Sequence, residues 1–245
     1  MSFETSGTSE TPEPSESAVP GAWLTPAPPV PFDGGEVFRG SDAGTVLDFW
    51  RYAMPDLRTN TTRGLLAEFL VHRAVGATAR NVEWGSFDVP APGGVRIEVK
   101  TSAYLQAWGQ RRLSEIRFSR LNARTWTPEG GTAPEQSYNA DVYVFALHTA
   151  LTHADYDPLD IGQWAFHVAS RALVEATGQG SLGLASVRRL CGEPVGYERL
   201  AERIAACSPR AACPNTAGRG GAGAADWTVA AGGSAGRTDG EEARS

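Results

Sequence analysis

Ala140-Asp-Val-Tyr-Val-Phe-Ala-Leu147 is the segment that most limits the folds open to this chain. A nearly unbroken apolar run rich in β-branched and aromatic residues is typical of a buried central strand. Such a strand needs packed layers around it, so the expected fold class is α/β (α+β), a sandwich of helices and strands. A second strand differs from it in pattern. Val95-Arg-Ile-Glu-Val-Lys-Thr101 alternates strictly, which turns Val95, Ile97 and Val99 to one face and Arg96, Glu98 and Lys100 to the other.

The remaining elements are read from spacing and punctuation. Residues 46–54 have helical spacing and stop at Pro55. Asn60, Thr61 and Thr62 offer capping groups to a second helix, whose apolar face is Leu65, Leu66, Phe69, Leu70 and Val75, with Gly76 at its C-terminal cap. Residues 79–87 read as one or two short strands ended by Asp88-Val89, and Pro90-Ala-Pro-Gly-Gly94 reads as a turn. Residues 163–168 resemble another strand. Residues 187–190 and 197–207 look helical, with Leu200 and Ile204 inward. Residues 1–35, rich in Pro, Ser, Thr and Glu, bury too little apolar surface to offset chain entropy, and residues 208–245 are Gly- and Ala-rich. Both are expected to be disordered tails around a single domain at 36–207.

Charge and cysteine usage narrow the function classes. The formal charge is −6, but residues 1–35 hold five acids and no base while residues 208–245 balance, so the core carries −1. A near-neutral core leaves nucleic acid open as a partner. Cys191, Cys207 and Cys213 form an odd set with no C-x-x-C pair, and are expected as reduced thiols. The four histidines fit no zinc spacing, and His148 and His153, near an expected strand end, read as solvated. No apolar run reaches the length of a membrane span, and the acidic N-terminus lacks signal-peptide features, so the expected location is the cytoplasm.

Asp88, Glu98 and Lys100 carry the chemistry. A phosphodiester resists attack because its oxygens repel nucleophiles and its leaving group is poor; a divalent cation held by carboxylates polarises the phosphoryl oxygen and acidifies a bound water. Mg2+ takes one or two carboxylates and fills its octahedron with water and substrate; Mn2+ is a possible substitute. The short turn brings Asp88 and Glu98 side by side, and strand alternation puts Lys100 on the face of Glu98. There its ammonium can orient the attacking water or offset developing charge. Lys100 is also the only lysine among 22 basic residues. A compact ammonium at this one position contrasts with the bulkier, planar guanidinium used everywhere else.

Phe87-Asp88 followed by Ile97-Glu98-Val99-Lys100 resembles the PD-(D/E)xK motif of the restriction-endonuclease-like nuclease superfamily, with Phe87 in place of the proline. The resemblance implies an αβββαβ core over about residues 58–148, with a mixed central sheet flanked by helices. It further implies that Asp88, Glu98 and the Val99 carbonyl bind the metal, that Lys100 assists the water, that Glu68 adds an acid from the preceding helix, and that Gln106 or Gln110 supports the site.

The segment after Lys100 is basic. Arg111, Arg112, Arg117, Arg120 and Arg124 follow Tyr104 and Trp108. Arg117, Arg120 and Arg124, at i, i+3 and i+7, would align on one helical face for phosphate contact, with Phe118, Leu121 and Trp126 beneath. Trp108 or Tyr104 could stack on a base. The expected function is therefore a Mg2+-dependent endonuclease acting on DNA, with RNA not excluded and a homodimer possible. The alternatives are a noncatalytic nucleic-acid-binding module on the same fold, or an interaction domain in which Asp88 is a turn acid, Glu68 a boundary acid, and the arginines a solvated face.

Overall fold

A computed structural model describes residues 27, 29–78, 85–127 and 131–209. The tails expected over 1–35 and 208–245 lie mostly outside the described residues, as do Cys213 and residues 79–84 of the expected strand pair. In chain order the elements are α1 (Val46–Ala53), α2 (Asn60–Ala74), β1 (Val89–Ala91), β2 (Val95–Ala103), β3 (Arg117–Ser119), β4 (Trp126–Thr127), β5 (Gly131–Thr132), β6 (Val142–His148), β7 (Trp164–Ser170), α3 (Arg171–Glu175), β8 (Ser181–Gly183), α4 (Leu184–Cys191) and α5 (Leu200–Cys207).

The architecture is mixed α/β. β1, β2, β6 and β7 form one four-stranded sheet in that order. β2 and β6 run parallel, while β1–β2 and β6–β7 are antiparallel. β6 is buried at every position, as a central strand covered on both faces must be. One face packs Ile97, Val99, Val142, Val144 and Phe166 against Ala67 and Val71 of α2 and Leu200 and Ile204 of α5. The other packs Tyr143, Phe145 and Leu147 against Phe118 of β3, Leu182 of β8, Val174 of α3 and Val187 of α4. Phe118 meets Phe145 edge to face with ring centroids 5.2 Å apart.

The register of β2 on β6 sets where the chemical residues fall. Arg96 forks onto the Asp141 carboxylate (Nη2–Oδ1 2.7 Å, Nε–Oδ2 3.1 Å), and the Asp141 N–H donates to the Arg96 carbonyl at 2.8 Å. This bidentate pair locks the start of both strands. From there Glu98 stands opposite Tyr143 and Lys100 opposite Phe145.

Three local expectations change. Thr59, not Asn60, Thr61 or Thr62, caps α2, its hydroxyl accepting the Thr62 N–H. Gly76 does close that helix, at φ +63. The buried face of α2 is Thr62, Arg63, Ala67 and Val71, whereas Leu65 and Phe69 are 45% and 56% exposed. Arg63, Ala67 and Val71 repeat every fourth residue, and small Ala67 lets the helix backbone lie close to β2; the bulkier stripe is left outside. The expected turn at 90–94 is tighter: Val89–Ala91 pairs with β2, and only Pro92–Gly94 turns, with Gly93 and Gly94 both at φ +77. No described helix is long and apolar enough to cross a membrane.

Candidate active site

Asp88 is not the end of a strand, as its sequence context suggested, but the bend residue just before β1. It is nevertheless fastened to β2 on both sides of Glu98. Its N–H donates to the Ile97 carbonyl at 3.0 Å, and its Oδ2 accepts the Val99 N–H at 2.7 Å. The β1–β2 register pairs Val89 with Ile97, so one further step places Asp88 opposite Glu98, and opposed antiparallel residues share a face. The Lys100 ammonium contacts Glu98 Oε1, with side chains 20% and 15% exposed. Ile97 and Val99 point the other way, into the core beneath α2.

Glu68 joins this group electrostatically from α2. Burial pushes its carboxyl up to about 7, with Asp88 and Glu98 adding to the rise and Lys100 opposing it. The other two carboxyls are also raised. For Asp88 burial dominates, and Lys100 and the Val99 N–H pull back; for Glu98 burial dominates, then the nearby Asp88, again with Lys100 opposing. Burial is the largest cause at all three acids, repulsion adds to it at Glu68 and Glu98, and one ammonium offsets only part of the sum.

That imbalance has a measurable consequence. Glu68 binds its proton more tightly in the folded chain than at its ordinary value of 4.5, so its contribution is fully present below pH 4.5 and is lost as pH rises to about 7. Asp141, held below its ordinary 3.8 by the Arg96 guanidinium, acts in the opposite sense and only at lower pH. In chelator, the melting temperature should therefore fall between pH 4.5 and about 7, and Glu68→Gln should flatten the decline. Melting curves that fall equally in both proteins would contradict this.

Gln106 and Gln110 are spent on the loop after β2. Gln106 Nε2 donates to the Ala103 carbonyl and Ser114 Oγ, and Gln110 Nε2 to the Tyr104 carbonyl and Ser114 Oγ. Among the described residues neither amide bonds to Asp88, Glu98 or Lys100; they shape the neighbouring loop instead. Arg111, Arg112, Arg117, Arg120 and Arg124 are all exposed, but the helix expected to align the last three is not there. Arg117 lies on β3, where Phe118 is buried between exposed neighbours, and Arg120 sits at φ +59, a left-handed conformation no α-helix contains. Leu121 packs inward as expected, but Trp126 is 53% exposed.

His148 is also misjudged by the sequence. It is fully buried, stacked on Tyr156 at 4.0 Å, with Nε2 3.2 Å from the Asp157 carbonyl; His153 is exposed as expected. Cys191 and Cys207 are free thiols. Sequence reasoning passed over Arg63, although its spacing with Ala67 and Val71 marks it as inward-facing.

A family model described as bacteriophage T4 endonuclease IV matches residues 50–182, more than half of the chain. The chain belongs to the bacteriophage T4 endonuclease IV family. Membership in this endonuclease family places the chain among nucleases, in agreement with the expected activity class. The span matched to the endonuclease IV model takes in α2, β1, β2, the loop with both glutamines and all five arginines, β6 and β7. No curated protein matches the chain.

Proposed function

We propose that this endonuclease IV family member hydrolyses DNA phosphodiesters at a divalent-metal centre of the PD-(D/E)xK kind. Asp88, Glu98 and the Val99 carbonyl would hold Mg2+, and Lys100 would serve the attacking water. The observation that carries the reading is the attachment of Asp88 to both neighbours of Glu98, with Lys100 against Glu98.

The donor set fits a hard cation rather than a soft one. Among the described residues no three His, Cys, Asp or Glu side chains form a preassembled ligand group. Mg2+ asks for less, since water and substrate oxygens complete its shell around one or two carboxylates. Burial raises the carboxyls of Asp88 and Glu98, with Asp88 adding to the rise at Glu98, and a bound divalent cation would lower both. A bound divalent cation would polarise the phosphoryl oxygen and acidify a water. Lys100 Nζ, fixed beside Glu98, would orient that water and offset charge on the phosphoryl oxygens. Glu68, raised to about 7, is placed to accept a proton near neutral pH.

The surrounding surface suits a polyanion. Arg111 and Arg112 on the loop after β2, and Arg117, Arg120 and Arg124 from β3 onward, are exposed and would contact phosphates. Trp108, 56% exposed on the same loop, is available to stack on a base.

The test is cleavage of end-labelled single-stranded DNA, duplex DNA and RNA with Mg2+, with Mn2+ and with EDTA. DNA cleavage that EDTA abolishes and Mg2+ restores is expected. Cleavage undiminished in EDTA would reject the metal centre. DNA binding without cleavage under any condition would favour the noncatalytic module, and preference for RNA would reassign the substrate.

A further inference from the structure

Arg63 is the residue that ordinary packing explains least. It lies on the inward face of α2 at 3% exposure, and its guanidinium makes no ion pair among the described residues. A buried cation without a counter-ion is costly unless its N–H groups are met. Nη1 donates to the Arg58 carbonyl at 2.9 Å, and Nη2 to Asn60 Oδ1 at 2.6 Å and Gln106 Oε1 at 3.4 Å. The Nε–H meets no acceptor in good hydrogen-bond geometry among the described residues, although the Tyr156 hydroxyl lies near enough for the guanidinium to favour its ionisation. Arg58 and Asn60 belong to the start of α2; Gln106 belongs to the loop after β2.

That loop is tied into one body. The Ser114 N–H donates to the Tyr104 carbonyl at 2.8 Å, the Gln106 N–H to Gln110 Oε1 at 2.7 Å, and both glutamine amides converge on Ser114 Oγ. A body knotted this way moves as a unit; buried Leu105 and packed Tyr104 seat its start on the core, and the Arg63–Gln106 bond ties it to α2. Its outer side carries Trp108, Arg111 and Arg112, all exposed.

We infer that Arg63 is a positioning residue: through Gln106 it anchors residues 104–114 to the helix that carries Glu68, and so sets where Trp108, Arg111 and Arg112 meet nucleic acid relative to Lys100. The inference rests on the reading above only for nucleic acid as what that loop meets. Arg63 is too buried to touch substrate, so its effect belongs to binding and not to the chemical step.

The test uses the full chain and a fluorescent DNA oligonucleotide. Binding is measured by anisotropy in EDTA, and KM and kcat by cleavage in Mg2+, for wild type, Arg63→Met, Gln106→Ala and the double variant. Each single substitution is expected to raise Kd and KM about tenfold with little change in kcat. The double variant should fall short of the product of the two singles, because the Arg63–Gln106 link is lost in both while the other bonds of each residue are lost separately. Kd and KM unchanged despite a lower melting temperature would reduce Arg63 to a packing role and overturn the inference, as would multiplicative effects in the double. If Arg63→Met does not fold, Gln106→Ala decides alone, since it leaves Arg63 bonded to Arg58 and Asn60; an unchanged Kd there overturns the proposal. Wild-type protein that binds DNA without cleaving it would sink the nuclease reading and leave this one standing, whereas absence of DNA binding would remove both.

Discussion

Lys100→Ala should lower kcat by about 10²–10⁴-fold, the range lost when a positioned proton-transfer or charge-stabilising group is removed. Lys100 is only 20% exposed and meets Glu98 directly, so little else in the site can take its place. Among the described residues, Lys100 is the cation whose charge acts on Glu68, Asp88 and Glu98. Lys100→Arg should not restore activity, because the guanidinium is wider, planar and presents its protons in a fixed fork. In the alanine variant Glu98 loses its neighbouring positive charge and its carboxyl should rise further. Circular dichroism and a melting curve establish that the variant folds; a folded Lys100→Ala protein with wild-type kcat would remove Lys100 from the mechanism.

Asp88→Asn should do two opposite things. The amide oxygen can still accept the Val99 N–H that Asp88 Oδ2 accepts at 2.7 Å, so the link to β2 survives. The negative charge does not. Without chelated metal, a raised carboxyl such as Asp88 destabilises the fold above its unfolded value, and neutralising it should raise the melting temperature at pH 8 in EDTA. Cleavage in Mg2+ should meanwhile fall by about 10²-fold or more, a loss comparable to deleting one preorganised electrostatic contact. A variant that is both more stable and less active is the signature of strain held at a functional site. A variant less stable and equally active would mark Asp88 as the turn acid that its sequence context also allows.

How far the sequence could be read depends on how local each cause is. The β6 run and the alternation of β2 follow from patterns of a few residues, and the structure reproduces both. The pairing of Asp88 with Glu98 was approachable for the same reason, since the turn between their strands is short, though Asp88 proved to lie before β1 and not at the end of a strand. The arginine segment misled because its cause is distant: β3 pairs with β8, from Arg117↔Gly183 to Ser119↔Ser181, and nothing near residue 117 announces that partner. Helical spacing of three arginines was then an accident of composition in a chain that uses arginine for almost every base. α2 misled differently. Its larger apolar residues suggested one inward face, but close approach to β2 selected small Ala67 and left Leu65 and Phe69 outside. The same rotation hid Arg63, whose role depends on a loop more than forty positions away.

The central claim is that the carboxylates of Asp88 and Glu98 hold the cation on which cleavage depends. The most direct test is the single-turnover rate of DNA cleavage as a function of free Mg2+, for wild type and for Asp88→Asn. The account predicts a saturable curve for wild type, and for the variant a half-saturation shifted upward by about 10²-fold or no saturation at all. Superimposable curves for the two proteins would contradict it.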